Sequence, residues 1–139
     1  MRHLITTVIF AFTAICASAT AQTSDAAGKA QEAAQHWLSL ADSGQYAATW
    51  EQAAEPFQNA IKKTEWEQAL LAVRTPVGVM EKRALSSMSF TNSLPGAPDG
   101  QYVVIRFTSQ FSNKKSAVET ITPMLGKDGT WRVSGYFIN

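Results

Sequence analysis

The chain predicts an α+β fold: three to four N-terminal helices packed on one face of a curved four-stranded antiparallel sheet. Two observations carry this. Apolar residues recur at helical spacing as far as Arg74 and at alternate positions after Gly78. The two patterns do not interleave, so helices and strands segregate along the chain and must meet as two layers.

The first stretch is an export signal by composition. Met1, Arg2 and His3 form a short basic start, Leu4 to Ala17 an apolar run, and Ala19-Thr20-Ala21 a peptidase site of the A-x-A kind. The run is shorter than the ~20 residues a spanning helix needs, so cleavage after Ala21 leaves an exported chain, periplasmic or secreted, with no stable membrane insertion. Cys16, the only cysteine, leaves with the signal; Ile15 before it is not the small residue a lipid anchor requires. Removing 21 of 139 residues leaves 118, enough for one core, with residues 22–28 as a flexible lead-in and 29–139 as a single α+β domain.

Each element then follows from spacing. Ala33, Ala34, Trp37, Leu38 and Ala41 mark one helix face, closed by Gly44. Tyr46, Trp50 and Ala53 continue the period to Pro56, which divides 45–54 from 56–62 as two short helices. Thr64 and Glu67 form an expected capping box for a further helix, which Thr75-Pro76 should end. Met80 to Ser93 reads as the first strand, and Leu94-Pro95-Gly96-Ala97-Pro98-Asp99-Gly100 as a rigid, exposed loop. Gln101 to Ser112 alternates, with Val103, Ile105, Phe107 and Phe111 opposite Arg106, Thr108 and Gln110. Ala117 to Leu125 and Trp131 to Ile138 follow, the last placing Trp131, Val133 and Phe137 against Arg132, Ser134 and Tyr136.

Several function classes are excluded by composition. The chain carries 12 Lys and Arg against 11 Asp and Glu, and losing Arg2 brings the mature net charge to zero, without the basic patch that nucleic-acid binding uses. Once His3 is removed His36 is the only histidine, and with Glu32 one turn earlier it reads as part of a solvated face. No cofactor motif, nucleophile or metal-ligand spacing is present, so no catalytic residue is assigned. The four tryptophans sit at core-facing positions, Trp66 least clearly.

The polar strand residues are the functional lead. Arg106, Gln110, Arg132 and Tyr136 should share the open sheet face, with Arg83 and Glu119 pairing nearby. This points to a non-catalytic module that binds a small ligand or an exported protein through the sheet face and the 94–100 loop, with homodimerisation through the sheet as a further option. The alternative is an enzyme holding Glu119 as a base in an apolar pocket near Tyr102 or Tyr136. The position of Glu119 separates the two: an ion pair suits binding, an apolar cavity suits catalysis.

The residues also carry a family resemblance. The pattern Trp37-Leu38-x-Leu40-x-Asp42-x-Gly44-x-Tyr46 with Trp50, the segment Trp66 to Gly78, Arg83, the 94–103 stretch, Glu119-Thr120 and Asp128-Gly129-x-Trp131-Arg132-Val133-x-Gly135-Tyr136 resemble the bacterial exported family called domain of unknown function 4019. The architecture also looks like the cone-shaped nuclear transport factor two-like fold. The resemblance implies fold and export, and it supplies no catalytic residue.

Overall fold

The computed structural model describes residues 18–139. The basic start, the apolar run and Cys16 lie outside the described residues. Four helices, α1 (Ser18–Asp42), α2 (Tyr46–Glu51), α3 (Glu55–Ala60) and α4 (Lys63–Val77), precede four strands, β1 (Met80–Thr91), β2 (Tyr102–Phe111), β3 (Lys114–Leu125) and β4 (Trp131–Ile138). The strands form one antiparallel meander in the order β1-β2-β3-β4. The α+β class and the order of helices before sheet are as the sequence predicts.

The core forms where the apolar stripe of α1 meets the alternating face of the strands. Ala30, Ala34, Trp37, Leu38 and Ala41 are buried against Val103, Ile105, Phe107, Ile121, Trp131 and Val133, joined by Trp66 and Leu70 of α4. Three indole N–H groups find acceptors: Trp37 donates to the Thr49 carbonyl at 2.9 Å, Trp50 to the Ile61 carbonyl at 2.9 Å, and Trp66 to Thr49 Oγ1 at 2.9 Å. These bonds explain how large amphipathic rings are accommodated in a small core without a polar penalty. Trp66, the doubtful tryptophan of the sequence, is 9% exposed and stacks edge-on against Phe57 at 4.8 Å.

Local departures have identifiable causes. Residues 22–28, expected as a flexible lead-in, are helical and continuous with α1, and the A-x-A site falls within that helix. The cap of α4 lies at Lys62 instead of Thr64: helix bonding starts from the Lys62 carbonyl to Trp66, and Glu65, not Glu67, reaches back to the Lys62 amide at 3.4 Å. Thr75-Pro76 does not end α4, which continues to Val77. The β2–β3 turn holds that last stretch, with the Asn113 amide bonded to the Val77 carbonyl at 2.9 Å and the Ser112 amide to that of Val79 at 2.8 Å. Termination falls to Gly78, whose φ of +81° suits glycine and where a Cβ would lie 2.0 Å from Ser112 Oγ.

The largest correction concerns β4. Thr122 pairs with Gly135 but Pro123 pairs with Val133, so Ser134 is an extra residue and the strand bulges. Pro123 has no N–H for the ladder, which suits it to this interruption. Alternation reverses beyond the bulge. Tyr136 therefore turns inward, with its ring 4.9 Å from Trp37, while Phe137 is left 52% exposed, the opposite of the sequence assignment for both.

Candidate functional site

Charged and polar side chains gather in two places, at opposite ends of the strands. The first is a buried network beneath the C-terminal end of α1. Glu119 of β3 is fully buried and accepts from Arg83 Nε at 2.7 Å and Nη2 at 3.0 Å, from Ser109 Oγ at 2.5 Å, and from the Tyr136 hydroxyl at 2.5 Å. Arg83 also binds Asp42 through Nη1 at 2.7 Å and Nη2 at 3.0 Å. Arg74, 5% exposed, donates to Asp42 at 2.7 Å and to the Tyr136 oxygen at 3.3 Å, and lies 5.0 Å over the Phe111 ring. Two guanidinium groups thus balance two carboxylates and tie α1, α4 and all four strands together.

Electrostatics follow from this geometry. Burial would raise the pKa of Asp42, but the hydrogen bonds and charges of Arg83 and Arg74 outweigh it and hold the carboxyl below its usual range. Burial together with the Glu119 charge pushes the Tyr136 phenol up. Arg83 and Arg74 are both raised: burial opposes their charge, and their acidic and phenolic partners more than restore it. Among the described residues no buried side-chain nitrogen or oxygen lacks a hydrogen-bond partner. Both Glu119 oxygens are engaged twice over, so the buried carboxylate is held as a structural anchor.

The second gathering is open. A cleft of about 1120 Å³ lies at the end of the sheet where β2 begins. Its walls are the α2–α3 connection with the first turn of α3, the residues Pro98 to Gln101, and the β3–β4 turn from Leu125 to Asp128. The apolar part of its lining includes Ala53, Ala54, Pro56, Pro98 and Met124. The Ala54 amide bonds to the Val133 carbonyl at 2.8 Å, fixing one wall to the edge of β4. The Tyr102 hydroxyl donates to the Pro98 carbonyl at 2.5 Å, and the Gly100 amide to Asn92 at 3.0 Å, fixing another. Leu94, expected to be exposed, is half-buried on Ala54, Tyr102 and Met124. Of the charged groups lining the cleft, Glu51 pairs with Lys63, and Asp128 accepts from both Arg132 nitrogens at 3.0 and 2.8 Å. That pairing, chiefly the Arg132 hydrogen bond, draws the Asp128 pKa down to about 2. Among the described residues, the side chains of Glu55, Asp99 and Lys127 find no hydrogen-bond or ion-pair partner.

The six polar residues singled out from sequence therefore divide. Arg83, Glu119 and Tyr136 meet in the buried network, with Arg83 and Glu119 paired as expected. Arg132 pairs with Asp128 at the cleft, apart from Tyr136, with which it was expected to share a face. Arg106 and Gln110 remain exposed on the sheet, and Arg106 has no hydrogen-bond or ion-pair partner among the described residues. Asp42, Arg74 and Ser109 were missed. Phase signalled the burial of two of them, though not their meeting: Arg74 continues the Trp66, Leu70 stripe of α4, and Ser109 falls between Phe107 and Phe111 on the apolar face of β2. His36 is exposed and bonds Gln52 at 2.8 Å instead of Glu32. Among the described residues no group of three or more His, Cys, Asp or Glu converges as metal ligands would.

Helices preceding a four-stranded meander, with a charge network locking the layers and a cleft at the strand ends, define a small two-layer α+β domain. The family model described as protein of unknown function (DUF4019) matches residues 33–136, and the chain belongs to that family. The match takes in the charge network and every wall of the cleft. No curated protein matches the chain.

Proposed function

We propose that this protein is an exported, non-catalytic binding module whose ligand site is the cleft between the α2–α3 connection, the 94–100 loop and the β3–β4 turn. One observation carries the reading: a cleft of about 1120 Å³ with an apolar part to its lining and three charged side chains that have no partner within the fold. Ligand sites are concave and largely apolar, with a few polar groups left free to orient what binds. The 94–100 loop is tied down by Tyr102, so ordering it on binding costs little entropy. The exposed sheet face with Arg106 and Gln110 is a second contact area, open to a protein partner or another copy. Glu119 favours binding over acid–base work, because both its oxygens are held by guanidinium and hydroxyl donors.

The test compares wild type with Asn59→Trp, which adds an indole at an exposed position lining the cleft, and with Arg106→Ala on the sheet. Native mass spectrometry of protein isolated from the exported fraction should show a bound species that Asn59→Trp loses and Arg106→Ala keeps. Loss with Arg106→Ala alone moves the site to the sheet. No species on any variant, with no small molecule raising the melting temperature, removes the binding reading. Intact mass of the same sample checks cleavage after Ala21.

A further inference from the structure

We infer that the ligand of the cleft is an alkylammonium or guanidinium cation with an apolar body, an inference that rests on the cleft being the binding site. Glu55 stands in the first turn of α3, and Asp99 in the loop after β1, so two separate elements each bring a carboxylate to one cavity. Neither carboxylate has a hydrogen bond or an ion pair, whereas the other two acids lining the cleft, Glu51 and Asp128, are already neutralised by Lys63 and Arg132. The unpaired charge is thus two negative against one positive, Lys127 in the β3–β4 turn.

An aliphatic cation matches both halves of this lining. Its methylene stem covers Ala54, Pro56 and Met124, as lysine and arginine stems cover apolar surface elsewhere, while its head reaches a carboxylate and water. A second cationic head, or a free amine and a basic side chain on one peptide, lets both walls be used. Lys127 opposes the same ligand and sets an upper limit on its affinity. Removing that cation should therefore tighten binding.

Amide chemical shifts of isotope-labelled protein at low ionic strength are the measurement. The probes are 1,5-diaminopentane, the peptide Lys-Ala-Lys with an amidated C-terminus, the dianion glutarate, and neutral acetylated trialanine amide. The cations should shift amides of Gln101, Leu125 and Lys127, and glutarate and trialanine should not. Glu55→Gln and Asp99→Asn should each weaken binding about two- to fivefold, the range for a solvent-exposed ion pair, and Lys127→Gln should strengthen it by a similar factor. All three residues are exposed and unbonded, so the variants keep the fold. Shifts by the peptide alone assign the cation to a polypeptide, and shifts by both assign it to free amines as well. If glutarate or trialanine moves the same amides as strongly, the cleft binds but the cation class is overturned. If no probe moves them, or if Lys127→Gln leaves affinity unchanged or weaker, the cation class is likewise overturned, and the cleft itself is then judged by the Asn59→Trp comparison.

Discussion

The two ends of the sheet use the same residue types to opposite effect. Around Glu119 each acid meets a guanidinium or a hydroxyl inside the fold, and six elements are joined by the result. Around the cleft two carboxylates and one ammonium are left without partners. Burial is the difference. An ionised group removed from water must be paired, and leaving it alone is costly, whereas one left in water needs no partner and stays available. The network should therefore answer to substitution with lost stability, and the cleft with lost binding at constant stability.

The largest effect belongs to Glu119. Replacing it with Ala takes the acceptor from Ser109 and Tyr136 and half the counter-charge from Arg83, and breaking a buried pair in this way costs about 3 to 5 kcal/mol. Chemical denaturation measures it. A midpoint close to wild type would mean that the network does not hold the layers together, and the contrast between the two ends would collapse.

Gly78→Ala comes next, at about 1 to 3 kcal/mol, because alanine meets both a positive φ and the Ser112 hydroxyl 2.0 Å from its Cβ. The same measurement checks it, and Ser112→Ala, which by itself gives up the hydrogen bond from the Val79 amide, should cost less in the Gly78→Ala background than in wild type because there it also removes the clash.

How much of this was legible is clearest strand by strand. In β2 plain alternation gave both faces, since Val103, Ile105 and Phe107 are buried and Arg106, Thr108 and Gln110 exposed. In β4 the same rule held for Trp131, Arg132 and Val133 and then failed, because the extra Ser134 reverses every later side chain, and a bulge depends on the partner strand. Pro123 was the available hint: a proline inside a strand pattern marks an interrupted ladder. Half of the network was readable as an Arg83 and Glu119 pair. Asp42 and Arg74 join it only because α1 and α4 end over the same corner of the sheet, which no local pattern expresses. The cleft was invisible as a cavity, being made by three connections far apart in sequence, although the density of turn residues at 94–100 drew attention to one wall.

Acidity should separate the ends further. The folded-state pKa of Asp42 is depressed, so its contribution to stability is fully present above its unfolded value of about 3.9 and is lost as pH falls through the folded one. Stability should hold from neutrality to about pH 4 and decline below, with Asp42→Asn less stable at neutral pH and showing a shallower acid limb. Tyr136 acts in the other direction. Its raised pKa favours the neutral phenol in the fold, so that contribution is lost as pH rises above about 10, and Tyr136→Phe should flatten the alkaline limb. Equal pH profiles for wild type and both variants would show that the network does not govern the titration.

The smallest expected change in stability is the most informative about function. Glu55→Gln combined with Asp99→Asn alters exposed groups with no partner in the fold, so the denaturation midpoint should move by no more than about 0.5 kcal/mol. Arg106→Ala should be as mild, and Arg132→Ala, which gives up only a solvent-screened pair with Asp128, should change stability little. Against that level baseline any loss of binding belongs to the site itself. If the Glu55, Asp99 pair of changes weakens binding and Arg106→Ala does not, recognition lies in the cleft. The reverse result places it on the sheet face. A loss of several kcal/mol from either exposed set would show that these charges are held by the fold, and the division between a locked end and an open end would have to be redrawn.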